Sequence, residues 1–420
     1  MSSSFRKCLY GACLVTATAS GVAQAQQNYF LPSFESSVEW HGNRDLVVDD
    51  NLVEANGVYW ARVEALIGRD SLTSSTEFRP WFSYQELPDR VGSEPLEVGA
   101  NFRSVTQGEN STFRVAARAM RRDVFTSEYG TAGFDEFDPE NTPAGETGII
   151  SATGSRTDWA FYPSMTYKLS ERSRIEARMD IGQVRYDTNL AFRRVGYDSG
   201  TVGATLVFRQ STRLEWLAGP YVSQFETDDG RNETLSYGLQ AGAGFAPVEK
   251  SYFTAQFRFE QNEIDYTLTA PAAPVATLAT ASESNVGFEV VGFHQFQLSS
   301  VRYSVGRFLE PGTIGSRVKN DSVRLQYSRT ISPRVSAFGA VRYNRDDRVE
   351  GQLVAFGTGR NERLFGDLSL SWQITPTWYV TGGYRYLQQD LVTVPGSAVD
   401  HSAYISVGYR ALDPRPRRIQ

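Results

Sequence analysis

Residues 376–410 read PTWYVTGGYRYLQQDLVTVPGSAVDHSAYISVGYR, and their two-residue alternation predicts the fold. In the first half, one set of alternating positions is apolar or aromatic: Trp378, Val380, Gly382, Tyr384 and Tyr386. The interleaved set is mostly polar: Tyr379, Thr381, Gly383, Arg385 and Gln389. Residues 402–410 alternate in the same way. Because successive side chains of a strand point to opposite sides, the stretch predicts two strands with one apolar face each, the last two of a β-barrel.

The same period recurs along the chain, whereas helical periodicity is weak throughout. It predicts about eighteen strands, with sixteen to twenty left open, each near the ~10 residues that a tilted membrane strand needs. The predicted strands are 33–41, 58–68, 76–85, 94–105, 112–122, 158–169, 174–186, 197–209, 213–225, 233–246, 251–263, 284–298, 300–308, 320–330, 334–345, 363–374, 377–389 and 401–410. We expect the barrel to close by pairing of 402–410 with 33–41.

Short turns alternate with longer links that are rich in Gly, Asp, Pro and Asn. The longer links are 42–56, 86–94, 123–155, 187–196, 226–232, 264–283, 309–319, 346–362 and 390–400. This alternation is typical of an all-β, single-domain, antiparallel up-and-down transmembrane barrel with short periplasmic turns and long extracellular loops. A soluble β-propeller should show a repeated blade motif, and none is found. A soluble sandwich is disfavoured because the apolar face persists, almost without charge, through nearly every strand.

The first 25 residues have the pattern of a secretory signal peptide: basic residues, an apolar stretch at 8–22 and an A-x-A motif at 23–25. We predict cleavage after Ala25, a barrel over 26–410 and a disordered periplasmic tail over 411–420. The chain is therefore expected in the outer membrane of a Gram-negative cell. Its apolar stretches are all too short for a transmembrane helix.

Composition excludes several kinds of site. The two cysteines, Cys8 and Cys13, lie in the predicted signal peptide, so disulfides and thiol chemistry are not expected in the mature chain. The net charge of −6 does not suggest nucleic-acid binding. The acidic segment 134–141, FDEFDPEN, lacks the ligand spacing of a calcium loop. No cofactor or metal is predicted.

The layout resembles the beta-barrel porin 2 family of outer-membrane proteins. The residues that carry the resemblance are SVEWHGNRD at 37–45, the two-rim alternation and the closing AYISVGYR at 403–410. Many members of that family are associated with export of exopolysaccharide or capsule, and the resemblance implies such a role here. The chain departs from the usual aromatic C-terminal residue of such barrels, since ALDPRPRRIQ follows Tyr409 and Arg410.

Arginine dominates the predicted interior, whereas the chain contains only four lysines. By parity, the interior arginines are Arg62, Arg79, Arg103, Arg114, Arg118, Arg122, Arg178, Arg258, Arg302, Arg324, Arg342 and Arg385. The planar guanidinium binds carboxylates and phosphates, so these residues are candidates for pore lining and anion binding. The alternative is that they pair with interior acids, namely Glu64, Glu97, Glu176, Asp180, Glu260 and Asp367. Both can hold in part.

The densest arginine group is Arg114, Arg118 and Arg122, which precedes the acidic link 123–155. One hypothesis is that this link folds inward and that its acids meet the three arginines. The alternative is a mobile extracellular loop.

Catalysis is not predicted, because no base with a positioned partner emerges among the histidines. Parity places His41 inward and His401 outward, which argues against a site shared by the two. His294 is expected to mark a local register shift. The inward aromatic residues Trp60 and Trp81, together with Tyr379, are candidates for stacking on sugar rings or for packing inside the barrel.

The predicted function is an outer-membrane channel with an arginine-rich interior that conducts or exports anionic polysaccharide or other anionic solutes. A non-conducting structural or surface-interaction barrel is the alternative, and an outer-membrane hydrolase is a minor one. Expected partners are outer-membrane lipid and lipopolysaccharide, the outer-membrane assembly machinery and polysaccharide export components, with no nucleic acid.

Overall fold

The chain forms one antiparallel sheet of eighteen strands, closed by pairing of its first and last strands. The computed structural model describes residues 27–44, 46, 55–86, 95–124, 154–187, 195–268, 277–311, 317–348, 361–391 and 396–413. The closed barrel and its strand number confirm the sequence prediction. Among these residues there is no helix with the length and hydropathy of a membrane span. The predicted signal peptide, and the predicted tail beyond residue 413, lie outside the described residues.

The strands are numbered in chain order. They are β1 (Gln27–His41), β2 (Asn56–Asp70), β3 (Ser74–Glu86), β4 (Leu96–Gln107), β5 (Ser111–Asp123), β6 (Ser155–Lys168), β7 (Ser173–Asp187), β8 (Tyr197–Arg209), β9 (Leu214–Thr227), β10 (Asn232–Phe245), β11 (Ser251–Leu268), β12 (Thr277–Gln295), β13 (Ser299–Pro311), β14 (Arg317–Ser332), β15 (Val335–Arg348), β16 (Asn361–Gln373), β17 (Trp378–Leu391) and β18 (Ser397–Arg410). Each strand pairs with its two neighbours around the ring.

The closing register is the one that the alternation predicts. Ser33 lies opposite Arg410, and His41 lies opposite Ser402, with continuous pairing between these two ends. Since a slip of one residue would turn every side chain of a strand to the other face, this register also determines which residues point inward.

The two faces of the wall differ in polarity. On β18, the outward Ile405 and Val407 are 50% and 43% exposed. Ser402 and Ser406, at alternate positions of the same strand, point the other way and are each 1% exposed. The inner face of the wall is the one to which the side chain of Ser402 points. Apolar side chains therefore cover the outer face, and polar side chains are buried on the inner face.

One rim of the barrel carries the turns that were predicted to be short. They are 71–73, 108–110, 169–172, 210–213, 246–250, 296–298, 333–334 and 374–377. This set is called the turn rim. On the opposite rim, the prediction of a longer link at 226–232 is wrong, because residues 228–231 alone join β9 to β10. Thr227 Oγ1 accepts the backbone N–H of Asn232 at 3.0 Å, and Gly230 supplies a positive φ of 65°, which together close a tight turn.

His294 does not mark a register shift. Continuous pairing passes through it, opposite Ser251 on β11 and opposite Val301 on β13. It lies on the outer face close to the turn rim, with its ring edge-on to Phe296 at 4.1 Å between centroids. The shift was inferred because a polar residue follows the apolar positions of β12. A histidine near the end of a strand satisfies that pattern without any change of register.

Aromatic rings on the inner face lie flat against the wall, each over a glycine of the neighbouring strand. The pairs are Tyr29 with Gly68, Trp81 with Gly99, Tyr379 with Gly408 and Tyr404 with Gly383. A Cβ atom at any of these glycines would overlap the ring; for Gly99 it would lie 2.6 Å from Trp81. The missing side chain lets the ring occupy the space above the partner strand instead of projecting towards the barrel axis.

This arrangement predicts a difference between two adjacent glycines of β17. Gly383→Ala should lower the free energy of unfolding by about 1–3 kcal/mol, the usual cost of overpacking, because its new methyl group overlaps the Tyr404 ring. Gly382→Ala is the matched control, since its Cβ would meet only the Tyr404 carbonyl at 4.0 Å. Urea unfolding in detergent, followed by tryptophan fluorescence, measures both. Equal losses would contradict the proposed packing.

Candidate functional site

The twelve predicted arginines all lie on strands, at positions that alternate with exposed apolar residues of the outer face. Alternation therefore places their side chains on the inner face. Six make ion pairs with described carboxylates: Arg62, Arg79, Arg118, Arg122, Arg258 and Arg385. Arg302, Arg324 and Arg342 have other polar contacts. Arg103, Arg114 and Arg178 are exposed and make no hydrogen bond or ion pair with the described part of the chain.

Arg385 is held between two carboxylates near the closing strands. Its Nη1 donates to both oxygens of Glu39, at 3.0 and 2.9 Å, and its Nε donates to Asp367 at 3.2 Å. Ser402 Oγ donates to Glu39 at 2.8 Å, and the guanidinium lies 4.4 Å from the centroid of the Tyr404 ring. Arg385 thus contacts two carboxylates directly, and these contacts link β16, β17, β18 and β1. Pairing with interior acids, the alternative to anion binding, describes this residue.

Arg62 and Arg79 share Glu64 in the same way, at 2.8 and 3.4 Å. The guanidinium of Arg62 also lies 4.5 Å from the centroid of Trp81, and the ring lies against Gly99. Trp81 is 7% exposed, so little of the ring is open to the interior. Of the two roles open for this ring, its contacts support packing inside the barrel rather than stacking on a sugar.

A second arginine group surrounds Asp158 on β5 and β6. Arg118 Nε, Arg122 Nη2 and Arg156 Nε each lie 3.5 Å from an oxygen of Asp158, which is 2% exposed. Glu97 on β4 is also buried and accepts the backbone N–H of Asp123 at 3.3 Å. The sequence prediction included Arg118 and Arg122 but missed Arg156 and Asp158. It began the strand at residue 158, whereas β6 begins at Ser155, and the alternation of Arg156 with Asp158 was the available signal.

Arginines lie directly opposite each other at two places in the sheet. Arg122 on β5 is the register partner of Arg156 on β6, and Arg324 on β14 is the register partner of Arg342 on β15. Both pairs share the inner face. The two places are nine strands apart in a ring of eighteen, so they lie on opposite walls. Like charges in this position destabilise a sheet, so these arrangements have a cost that the neighbouring polar groups must offset.

His41 pairs with Asp400, a contact that the sequence reasoning missed. His41 Nδ1 lies 2.7 Å from Asp400 Oδ2, and the other carboxylate oxygen accepts the backbone N–H of Asn43 at 2.8 Å. Asp400 is fully buried. The sequence prediction considered a site shared by His41 and His401, but His401 is on the outer face. Antiparallel pairing places Asp400 diagonally beside His41 on the inner face, two residues along β18 from the facing residue Ser402.

The chain after β1 turns into the barrel. Leu46 packs in an apolar cluster with Ala340, Phe365, Leu387 and Ala398, which line the inner face of β15–β18. The turn that carries it there has the hydrogen bond from Leu46 N to the carbonyl of Asn43, at 3.1 Å, and a positive φ of 49° at Leu46. The described residues of this stretch, 42–44 and 46, are called segment 42–46; they are anchored by Asp400 at Asn43 and by apolar packing at Leu46.

The His41–Asp400 pair does not resemble a hydrolytic site. Ser402 is the register partner of His41, but its hydroxyl donates to Glu39. Both His41 and Ser402 are buried, at 6% and 1% exposed, so a substrate has no open path to them. In the ranges that the structure covers, no group of three or more His, Cys, Asp or Glu is placed to hold a metal ion.

The sequence analysis offered the hypothesis that link 123–155 folds inward. Most of this link lies outside the described residues, which resume at Gly154. Its two ends meet where Val124 N donates to the carbonyl of Gly154 at 2.9 Å. The inward-turning segment that the structure does show is the one after β1.

No family model matches the sequence, and the comparison with curated proteins finds no match. The chain is similar in structure to outer-membrane channels. For OccAB4 of Acinetobacter baumannii the identity is 9%, the match covers 92% of this chain and 98% of that chain, and the TM-score is 0.43. For OpdO of Pseudomonas aeruginosa these values are 11%, 91%, 97% and 0.43. For OpdK of the same organism, solved with vanillate, they are 9%, 91%, 98% and 0.43. Likeness at this level assigns no substrate to the present chain, and the resemblance to the beta-barrel porin 2 family stays an expectation.

Substitution of Asp400 tests the anchor of segment 42–46. Asp400→Asn should lower the free energy of unfolding by about 1.5–3 kcal/mol, because it removes the charge from two buried hydrogen bonds. Asp187→Asn, at an exposed position of β7 whose side chain makes no hydrogen bond or ion pair with the described residues, is the control and should change stability by less than about 0.5 kcal/mol. Thermal unfolding of both proteins in the same detergent measures the difference. An unchanged transition for Asp400→Asn would show that the anchor contributes nothing.

Proposed function

We propose that this protein is an outer-membrane channel that passes polar solutes and favours anions. The observation that carries the proposal is the placement of arginine pairs on opposite inner walls of a closed barrel whose outer face is apolar. The proposed location is the outer membrane, and the proposed substrates are anionic solutes, of which acidic polysaccharide is the one that the family resemblance implies.

The outer face supports the membrane location. Large apolar side chains are exposed on strands all round the ring; examples are Val63, Val98, Leu206, Leu239, Phe259, Leu325, Leu368 and Ile405. A water-soluble protein seldom exposes a continuous apolar surface of this extent. A closed sheet with such a surface satisfies its own backbone hydrogen bonds, as a wall inside lipid must.

The interior supports the preference for anions. Two arginine pairs face the axis from opposite sides, and Arg103, Arg114 and Arg178 add guanidinium groups without an ion pair among the described residues. A positive lining attracts anions and repels cations, because charges along a narrow pore act at short range and in reduced dielectric. Arg385 lies between two carboxylates, whereas Arg62 and Arg79 share one, so the charges of these two groups together cancel and do not oppose this effect.

A non-conducting barrel remains the second candidate, and the segment 42–46 favours it. Leu46 packs against the inner wall, so this segment occupies part of the interior. A barrel obstructed in this way would serve as a structural or surface-interaction protein. The segment lies on the β15–β18 side, whereas the arginine group around Asp158 lies on β5 and β6.

Single-channel recording in planar bilayers distinguishes the two candidates. We expect ion-conducting steps and a reversal potential, measured in a KCl gradient, that shows preference for chloride over potassium. The double variant Arg324→Gln/Arg342→Gln should reduce that preference, because it removes two positive charges from one wall.

Arg307→Gln is the matched control for this measurement. Arg307 lies on the outer face and forms a two-contact ion pair with Asp321, at 2.6 and 2.7 Å, so its loss should leave the selectivity unchanged. A folded barrel without conductance would reject the channel. A channel that prefers potassium would reject the role given to the arginines.

A further inference from the structure

The arginine group around Asp158 has the geometry of an incomplete ion-pair cluster. Three guanidinium groups approach one carboxylate, and all three distances are 3.5 Å. Charge-assisted hydrogen bonds between these groups are ordinarily about 2.7–2.9 Å long. Asp158 therefore gathers Arg118, Arg122 and Arg156 around one point without forming a close bond to any of them.

Several polar atoms of this group lack a hydrogen-bond partner. The Nε atoms of Arg118 and Arg122 are buried and donate no hydrogen bond, and neither oxygen of Asp158 accepts one. Buried donors of this kind are costly unless a partner completes them. Arg122 also lies directly opposite Arg156, which adds repulsion between like charges. A further acceptor with negative charge would relieve both costs.

The exposure of the side chains indicates where such an acceptor would enter. Asp158 is 2% exposed, whereas the side chains of Arg118 and Arg122 are 16% and 24% exposed. The Arg156 side chain is only 6% exposed. The carboxylate and Arg156 therefore lie behind the guanidinium groups of Arg118 and Arg122, which face the interior. A solute in the barrel meets the arginines first, while Asp158 keeps them together from the wall side.

We propose that Arg118 and Arg122 form a binding site for the oxyanion group of a solute, a carboxylate or a phosphate. The site lies on the inner face at the ends of β5 and β6 farthest from the turn rim. This inference rests on the proposed function and specifies where an anion binds inside the channel. The planar guanidinium presents paired donors that match the oxygens of such a group. Asp158 competes with the anion and keeps its binding weak enough for release, as conduction requires.

Titration of the purified full-length protein in detergent with inorganic phosphate, followed by calorimetry, tests the site. Arg122→Gln should weaken phosphate binding by about 10-fold or more, the usual effect of losing a charge-assisted hydrogen bond. Asp158→Asn should strengthen binding, because it removes the competing charge. A residue that only held the arginines in place would give the opposite sign.

Arg121→Gln is the matched control, since Arg121 neighbours Arg122 on the same strand but alternates to the outer face. It changes the net charge by the same amount and should leave phosphate binding unchanged. Far-UV circular dichroism and heat-dependent gel mobility verify that each variant folds, and Arg118→Gln replaces Arg122→Gln if that variant does not.

Three results would overturn the site: no phosphate binding by the wild-type protein, equal losses in Arg121→Gln and Arg122→Gln, or weaker binding in folded Asp158→Asn. Conductance is recorded separately. A barrel that binds phosphate but does not conduct would reject the channel and support the binding site. A barrel that conducts but does not bind phosphate would reject the binding site and support the channel.

Discussion

The hydrogen bonding between β1 and β18 is the interaction on which the rest of the structure depends. It gives each of the eighteen strands two neighbours, so no strand in the ring is left as an edge strand. It also fixes the pairing of His41 with Ser402, and through that register the orientation of the side chains on both strands. The apolar outer face and the arginine-rich inner face are consequences of one closed, in-register sheet.

Closure creates an interior in which large and charged side chains compete for space. Glycines opposite aromatic residues let rings such as Tyr404 and Trp81 lie against the wall, and guanidinium groups stack on the rings in turn. Arg385 and Arg62 are held in this way and are matched by carboxylates. The arginines near Asp158 are not matched as closely. The interior thus contains arginines held by close contacts with carboxylates, and arginines such as Arg118 and Arg122 whose distances to a carboxylate oxygen are 3.5 Å.

The sequence was sufficient to predict the barrel, its strand number, its closing register and the two faces of 378–386. Each of these follows from alternation with period two, which survives in a single sequence. It was not sufficient for side-chain contacts between residues far apart in the chain, such as His41 with Asp400, because register gives the facing residues but not the diagonal neighbour that a side chain reaches. The inward turn that carries Leu46 was also missed, because the apolar run LVV at 46–48 is too short to show a two-residue alternation.

The charged groups show the same limit. Parity identified the inward arginines, but it could not tell which of them find a carboxylate. Glu64 serves two arginines at once, whereas Asp158 lies among three without a close bond. These differences arise from the relative height of residues on adjacent strands, which shear of the barrel sets and which local pattern does not reveal.

The central claim, a closed wall with lipid on one face and an aqueous interior on the other, is tested most directly on β17. Single cysteines at Val380 and Thr381, in a chain lacking Cys8 and Cys13, are examined in liposomes with a water-soluble maleimide and with a fluorophore quenched by brominated lipid. The account predicts reaction with the maleimide at position 381 and lipid quenching at position 380. The same response at both positions, or the reverse assignment, would contradict it.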